Sequence, residues 1–259
     1  MKKIIVGNWK MHGFVTMAHP LVEAVLATAK AHSETAQVVL CPPATLIVRL
    51  AEWLAGTVVK IGGQDCHSEE YGAYTGDISA PMLMDADCAY VIVGHSERRL
   101  HHGETDSVVC KKAASAIKAG LIPIICVGET DEERSTGRAQ EVVGRQVRDC
   151  LPDGVAVSDF VLAYEPVWAI GSGKIPSDDD IAQMHAHILS VAAKRTGLAN
   201  TQIQVLYGGS VKPANAHALM AINGVSGVLV GGASLKAEEF CDIIKAIPAL
   251  VAGSGPDKK

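Results

Sequence analysis

The chain has 259 residues, 48% of them hydrophobic, and a formal net charge of −5 with acids and bases interspersed. That is material for one sizeable core, residues 1–259 read as a single domain, and it leaves no basic field to attract nucleic acid or a membrane surface. Seven cysteines without C-x-x-C spacing fit reduced thiols rather than a disulfide framework or a zinc site.

The opening MKKIIVGNWKMHG has too short an apolar run for a signal peptide, and no run of about eighteen apolar residues is available to span a bilayer. A soluble cytoplasmic protein is expected. In chain order follow the runs KIIVGN, QVVLCP, VVKIGG, AYVIVGH, LIPIICVGE, DFVLAYEP, IQVLYGG and GVLVGG, short, continuously apolar and rich in Val and Ile. Strands buried on both faces of a parallel sheet have this composition. Between most of them lie amphipathic stretches of helix length. SVVCKKAASAIKAG closes at Gly120. SDDDIAQMHAHILSVAAKRTG carries a Ser177 N-cap, acids in its first turn, bases in its last and a closing Gly197. Eight strand-helix alternations predict a (β/α)8 barrel, with an open doubly wound sheet as the alternative.

Nearly every apolar run ends in polar residues or glycine: Asn8 and Lys10, Gln64 and Asp65, His95 and Glu97, Glu129, Glu165, Gly208 to Ser210, Gly231 and Gly232. In a parallel barrel these ends meet on one rim, where such proteins carry their chemistry. GSGK at 171–174 is not a P-loop, because Trp168 and Ile175 stand where that motif needs glycine and Ser or Thr. It is not a dinucleotide fingerprint either, because Pro176 stands where the third glycine belongs. The pairs in YGGS (207–210) and VGGAS (230–234) follow the seventh and eighth runs, and the second leads into SLKAEEF, a short helical pattern. Both suit a phosphate held by backbone N–H groups. His95 ends the fourth run at a probable helix start, where the dipole pushes an imidazole toward neutrality. His185 with His187, and His101 with His102, lack chelating spacing, so no metal site is expected. Asn8 and Lys10 are two apart in extended chain and face the same way. Glu97 is either a partner for Lys10 or an ordinary acid of a first helical turn. In AYEPVWAIGSGKIPS, Pro166 stiffens the entry, Trp168 offers an anchor and Gly171 to Gly173 free the exit, the pattern of a lid beside Glu165.

In this order, and spread over essentially the whole chain, GNWKM, YGAYTGDIS, VGHSERR, AYEPVWAIGSGK, YGGSVKP and GGASL resemble the triosephosphate isomerase family. The resemblance implies a TIM barrel that interconverts dihydroxyacetone phosphate and D-glyceraldehyde 3-phosphate in glycolysis and gluconeogenesis, without a cofactor, as a homodimer. It implies that Asn8 and Lys10 bind substrate, His95 is the electrophile, Glu165 is the base, and Gly171, Ser210, Gly231 and Gly232 bind the phosphate. It also implies that the long loop Asp65 to Ser79, with Tyr74 and Thr75 at its tip, docks against a second subunit. Ser172, Ile175 and Pro176 depart from the family's usual lid. The departure touches lid opening rather than chemistry. Two other readings remain at this point, an aldolase with Lys10 as a Schiff-base amine and a non-catalytic phosphosugar-binding barrel.

Overall fold

Each of the eight apolar runs forms a strand in the computed structural model, which describes residues 1–170 and 174–248. The strands are β1 Lys3–Asn8, β2 Ala36–Cys41, β3 Lys60–Gly63, β4 Tyr90–Val93, β5 Ile122–Val127, β6 Val161–Tyr164, β7 Val205–Tyr207 and β8 Gly227–Val230. They pair in parallel and in sequence order, and β8 returns to β1 through Ile4 opposite Gly227. The barrel is closed, so the open-sheet alternative falls.

The helices among the described residues are α1 Val15–Ala31, α2 Ala44–Leu54, α3 Ala80–Asp85, α4 Ser96–His102, α5 Asp106–Ala119, α6 Asp131–Ser135, α7 Ala139–Cys150, α8 Asp178–Thr196, α9 Pro213–Ala221 and α10 Ala237–Lys245. Their ends follow the capping chemistry of the sequence. Ser177 accepts from the backbone N–H of Asp180, whose carboxylate reaches back to Ser177, while Gly120 and Gly197 close α5 and α8 in the left-handed region. SLKAEEF is divided: a 3-10 turn, Gly232–Leu235, begins within the glycine pair, and α10 starts only at Ala237. No described helix is long and apolar enough to cross a membrane.

The continuous apolar character of the strands reflects two cores. Ile4, Val6, Val39, Cys41, Tyr90, Ile92, Ile124, Cys126, Val161, Ala163, Leu206 and Leu229 pack together inside the barrel. The alternate residues, Ile5, Val38, Leu40, Val91, Val93, Ile125, Val127, Leu162, Tyr164, Val205, Tyr207, Val228 and Val230, pack outward beneath the helices. Side chains therefore alternate strictly between interior and shell.

The shell residue His185 is titratable and wholly buried. His185 of α8 donates from Nδ1 to the Gly224 carbonyl at 3.1 Å, and its Nε2 has no hydrogen-bond partner. Burial pushes its pKa down to about 4, with Lys3 acting in the same direction and the Gly224 carbonyl opposing it. The folded-state value lies below the ordinary 6.5, so the unfolded chain binds the proton first and stability is lost as pH falls from 6.5 through about 4. Urea unfolding of the parent should lose about 3 kcal/mol over that window from this group. His185→Gln should lack this component, which the difference between the two pH profiles measures.

Candidate active site

The interior alternation does not stop where the strands end. In β1 it runs Ile4, Val6, Asn8, and Lys10 follows at the same spacing. In β6 it runs Val161, Ala163, Glu165. In β7 and β8 it reaches Gly208 and Gly231. Asn8, Lys10, Glu165, Gly208 and Gly231 line one cavity of ≈ 240 Å³ at the C-terminal mouth, together with His95, Ser210 and Gly232. The segments touch: a Cβ on Gly208 would lie 3.0 Å from Glu165 Cγ, and one on Gly231 would lie 3.4 Å from Lys10 Cε.

His95 reaches the cavity by a different route. Gly94 takes a φ of +66°, which breaks the strand, and His95 then serves as N-cap of α4, its Nδ1 accepting from the backbone N–H of Glu97 at 3.2 Å. In the neutral ring the proton therefore sits on Nε2. That nitrogen lies 2.9 Å from Glu165 Oε1. Glu165 is 2% exposed and also accepts from the Ser96 N–H at 2.9 Å and the Ser96 hydroxyl at 3.2 Å. Burial pushes the Glu165 carboxyl up, but His95 and the Ser96 donors outweigh it and hold the group below its ordinary range. Burial likewise opposes an imidazolium at His95, and here Glu165 outweighs it and raises the imidazole. The neutrality expected from the helix start alone is thus opposed by direct contact with Glu165.

Lys10 is held on three sides. Its backbone occupies the left-handed region at φ 53°, unusual for a residue with a side chain. Its N–H donates to Asn8 Oδ1 at 3.0 Å, and its carbonyl accepts from Gln64 Nε2 at 2.8 Å. Its ammonium pairs with Glu97. Glu97 is therefore both an acid of the first turn of α4 and the partner of Lys10, rather than the first alone.

Other rim residues take supporting places. Glu129 has outward parity and is fully buried, where its Oε1 accepts from Tyr164 at 3.0 Å and from the Trp168 indole N–H at 2.8 Å. Trp168 lies in a 3-10 turn, Val167–Ala169, with the Arg134 guanidinium 4.3 Å from its ring centroid. The anchor beside Glu165 is thus polar and cationic as well as apolar. Gly171 and the rest of the Gly171 to Gly173 exit lie outside the described residues. Tyr74 and Thr75 do not line this cavity. Tyr74 stacks on His67 at 4.0 Å. Ser96 was missed as a site residue, although a hydroxyl next to His95 at a helix start was a readable sign. Among the described residues no group of three His, Cys, Asp or Glu side chains is placed to hold a metal ion.

The sequence profile of triosephosphate isomerase matches residues 3–247. The chain belongs to the triosephosphate isomerase family. It is 50% identical over 246 residues to the triosephosphate isomerase of Xanthobacter flavus, covering 95% of this chain and 98% of that one. It is 51% identical over 251 residues to that of Afipia carboxidovorans, covering 96% and 98%. The crystal structure of triosephosphate isomerase from Bartonella henselae superimposes with a TM-score of 0.88 at 42% identity, covering 95% of this chain and 99% of that one. This isomerase interconverts dihydroxyacetone phosphate and D-glyceraldehyde 3-phosphate.

If Glu97 fixes the Lys10 ammonium, Glu97→Gln should lower kcat/KM about tenfold, equivalent to ~1.4 kcal/mol of transition-state stabilisation. Initial rates across substrate concentration check this, and an unchanged kcat/KM would remove Glu97 from the site.

Proposed function

We propose that the isomerisation runs through an enediolate, with Glu165 carrying a proton between the two reacting carbons. The observation that supports this most is the 2.9 Å contact of His95 Nε2 with Glu165 Oε1 at the mouth of the cavity. An ionised carboxylate and an N–H donor stand side by side there, which supports reading them as base and electrophile of one step. Glu165 removes the proton from the carbon next to the carbonyl and returns it to the neighbouring carbon. Meanwhile His95 Nε2–H and the Lys10 ammonium stabilise the oxygen that becomes negative, and His95 exchanges protons between the two oxygens. Asn8 and Lys10 orient the substrate. Backbone and hydroxyl groups of Gly171, Ser210, Gly231 and Gly232 hold the phosphate. No cofactor takes part.

The same reading makes the chain, residues 1–259 as one domain, a cytoplasmic homodimer. The seven cysteines are free, in keeping with a reducing compartment. Beside buried Trp9, Met11, Phe14 and Met17 stand 93%, 74% and 62% exposed around a cavity of ≈ 650 Å³, an apolar face suited to the Tyr74 and Thr75 loop of a second copy.

Two variants test these assignments. Glu165→Asp retracts the carboxylate by about 1 Å and should cost about 10²-fold in kcat. KM should stay nearly constant because the phosphate contacts are untouched. An unchanged kcat would end the assignment of Glu165 as the base. Thr75→Arg should give a monomer of low activity by analytical ultracentrifugation, and a fully active dimer would exclude the docking loop.

A further inference from the structure

We propose that Gln146, on the outer helix α7, is a positioning residue for Glu165 and acts through the backbone of Gly128. The inference rests on the reading of Glu165 as the base. Gln146 is 7% exposed, and its side-chain amide closes on a single residue. Its Oε1 accepts the Gly128 N–H at 2.7 Å, and its Nε2 donates to the Gly128 carbonyl at 3.1 Å. A neighbouring strand would supply this same pair of bonds. None is available, because the β5–β6 ladder ends at Val127 opposite Tyr164, followed by one last bond from the Glu165 N–H to the Val127 carbonyl at 2.8 Å.

Gly128 then lies directly against the backbone of Glu165. A Cβ at position 128 would sit 1.8 Å from the Glu165 carbonyl oxygen and 2.8 Å from its carbonyl carbon, so only glycine permits this approach. On the other side, the Gly208 N–H donates to the Tyr164 carbonyl at 2.7 Å. The residue that carries the base is therefore seated between two glycine segments. One of them is held by a side chain from outside the barrel. With Gln146 removed, the Gly128 N–H and C=O would be buried without partners, and the peptide would turn to recover them. Glu165 would move with its wall, and a displacement of about 1 Å in a catalytic group can cost about 10²-fold. Lys10, Ser210 and Gly231, which follow other strands, would keep their places.

Gln146→Met keeps the volume and removes both bonds. Gln146→Asn keeps the amide and retracts it. Each is made in the full chain and assayed with D-glyceraldehyde 3-phosphate for kcat and KM. Affinity for glycerol 3-phosphate, a phosphate ester that cannot isomerise, is measured alongside, as is the primary deuterium isotope effect on kcat. The expected result is a loss of about tenfold or more in kcat, with KM and glycerol 3-phosphate affinity within about twofold of the parent and a larger isotope effect, because proton transfer has become slower. A purely structural role would lower the melting temperature and leave the isotope effect alone. Parental kcat in whichever variant folds overturns the proposal. So does a rate loss matched by loss of glycerol 3-phosphate affinity, and so does failure of both variants to fold, which would make Gln146 a requirement of the barrel instead. Glu165→Asp run in parallel separates the two levels. If it keeps its rate, the assignment of the base fails; if it loses rate while the Gln146 variants do not, only the present inference fails.

Discussion

Closure of eight parallel strands into one barrel imposes a two-residue alternation, and the site depends on it. Because both faces are covered, each strand must supply apolar side chains to an inner and an outer core in turn. At the C-terminal end the inner core gives way to the cavity, and the next residue of inward parity has nothing apolar left to pack against. Asn8 and Glu165 occupy such positions. They are placed by the register that packs Val6 and Ala163 below them. Glu129 shows the converse, since outward parity takes an acid at a strand end away from the cavity and into the shell with Tyr164 and Trp168.

Electrostatics then determine what this placement can do. A carboxylate that is 2% exposed would ordinarily hold its proton. Glu165 instead lies below its usual range, because His95 and both donors of Ser96 favour the charged form. Those donors come from the start of α4, where unpaired backbone N–H groups stabilise negative charge. One short helix thus presents His95 through its N-cap, the support for the Glu165 carboxylate through Ser96 and the counter-charge of Lys10 through Glu97. The residues run consecutively in sequence, and the Gly94 break turns them into the mouth together.

What could be read in advance followed from local chemistry. The eight strands were legible from composition, α5 and α8 from their caps, and the residues of the cavity from their position just after apolar runs. Contacts across the sequence were not. Glu97, 87 residues from Lys10, could be read only as one of two alternatives, and Gln146, 18 residues from Gly128, does not differ in type from an ordinary helix residue. SLKAEEF departs from a continuous helix for a related reason. A helix pattern records which face is apolar, whereas the 3-10 turn at Gly232–Leu235 is fixed by Ser234, a fully buried residue whose hydroxyl donates to the Gly231 carbonyl at 2.7 Å.

The strain at Lys10 joins these layers. A non-glycine residue at φ 53° is sustained only where its surroundings offset the cost. Here the amide of Asn8 takes the Lys10 N–H, and Gln64, which also donates to the Cys41 carbonyl at 2.9 Å, takes its C=O. Three strand ends thereby meet around Lys10: Asn8 from β1 and Gln64 just past β3 bond it directly, and the Cys41 carbonyl of β2 holds the Gln64 amide. A relaxed backbone at position 10 would carry the side chain elsewhere, away from Glu97 and the Gly231 loop. The closed barrel supplies both partners at fixed distance, so the ammonium is held at the cavity by the fold itself, and the cost of ordering a long flexible side chain is met in folding.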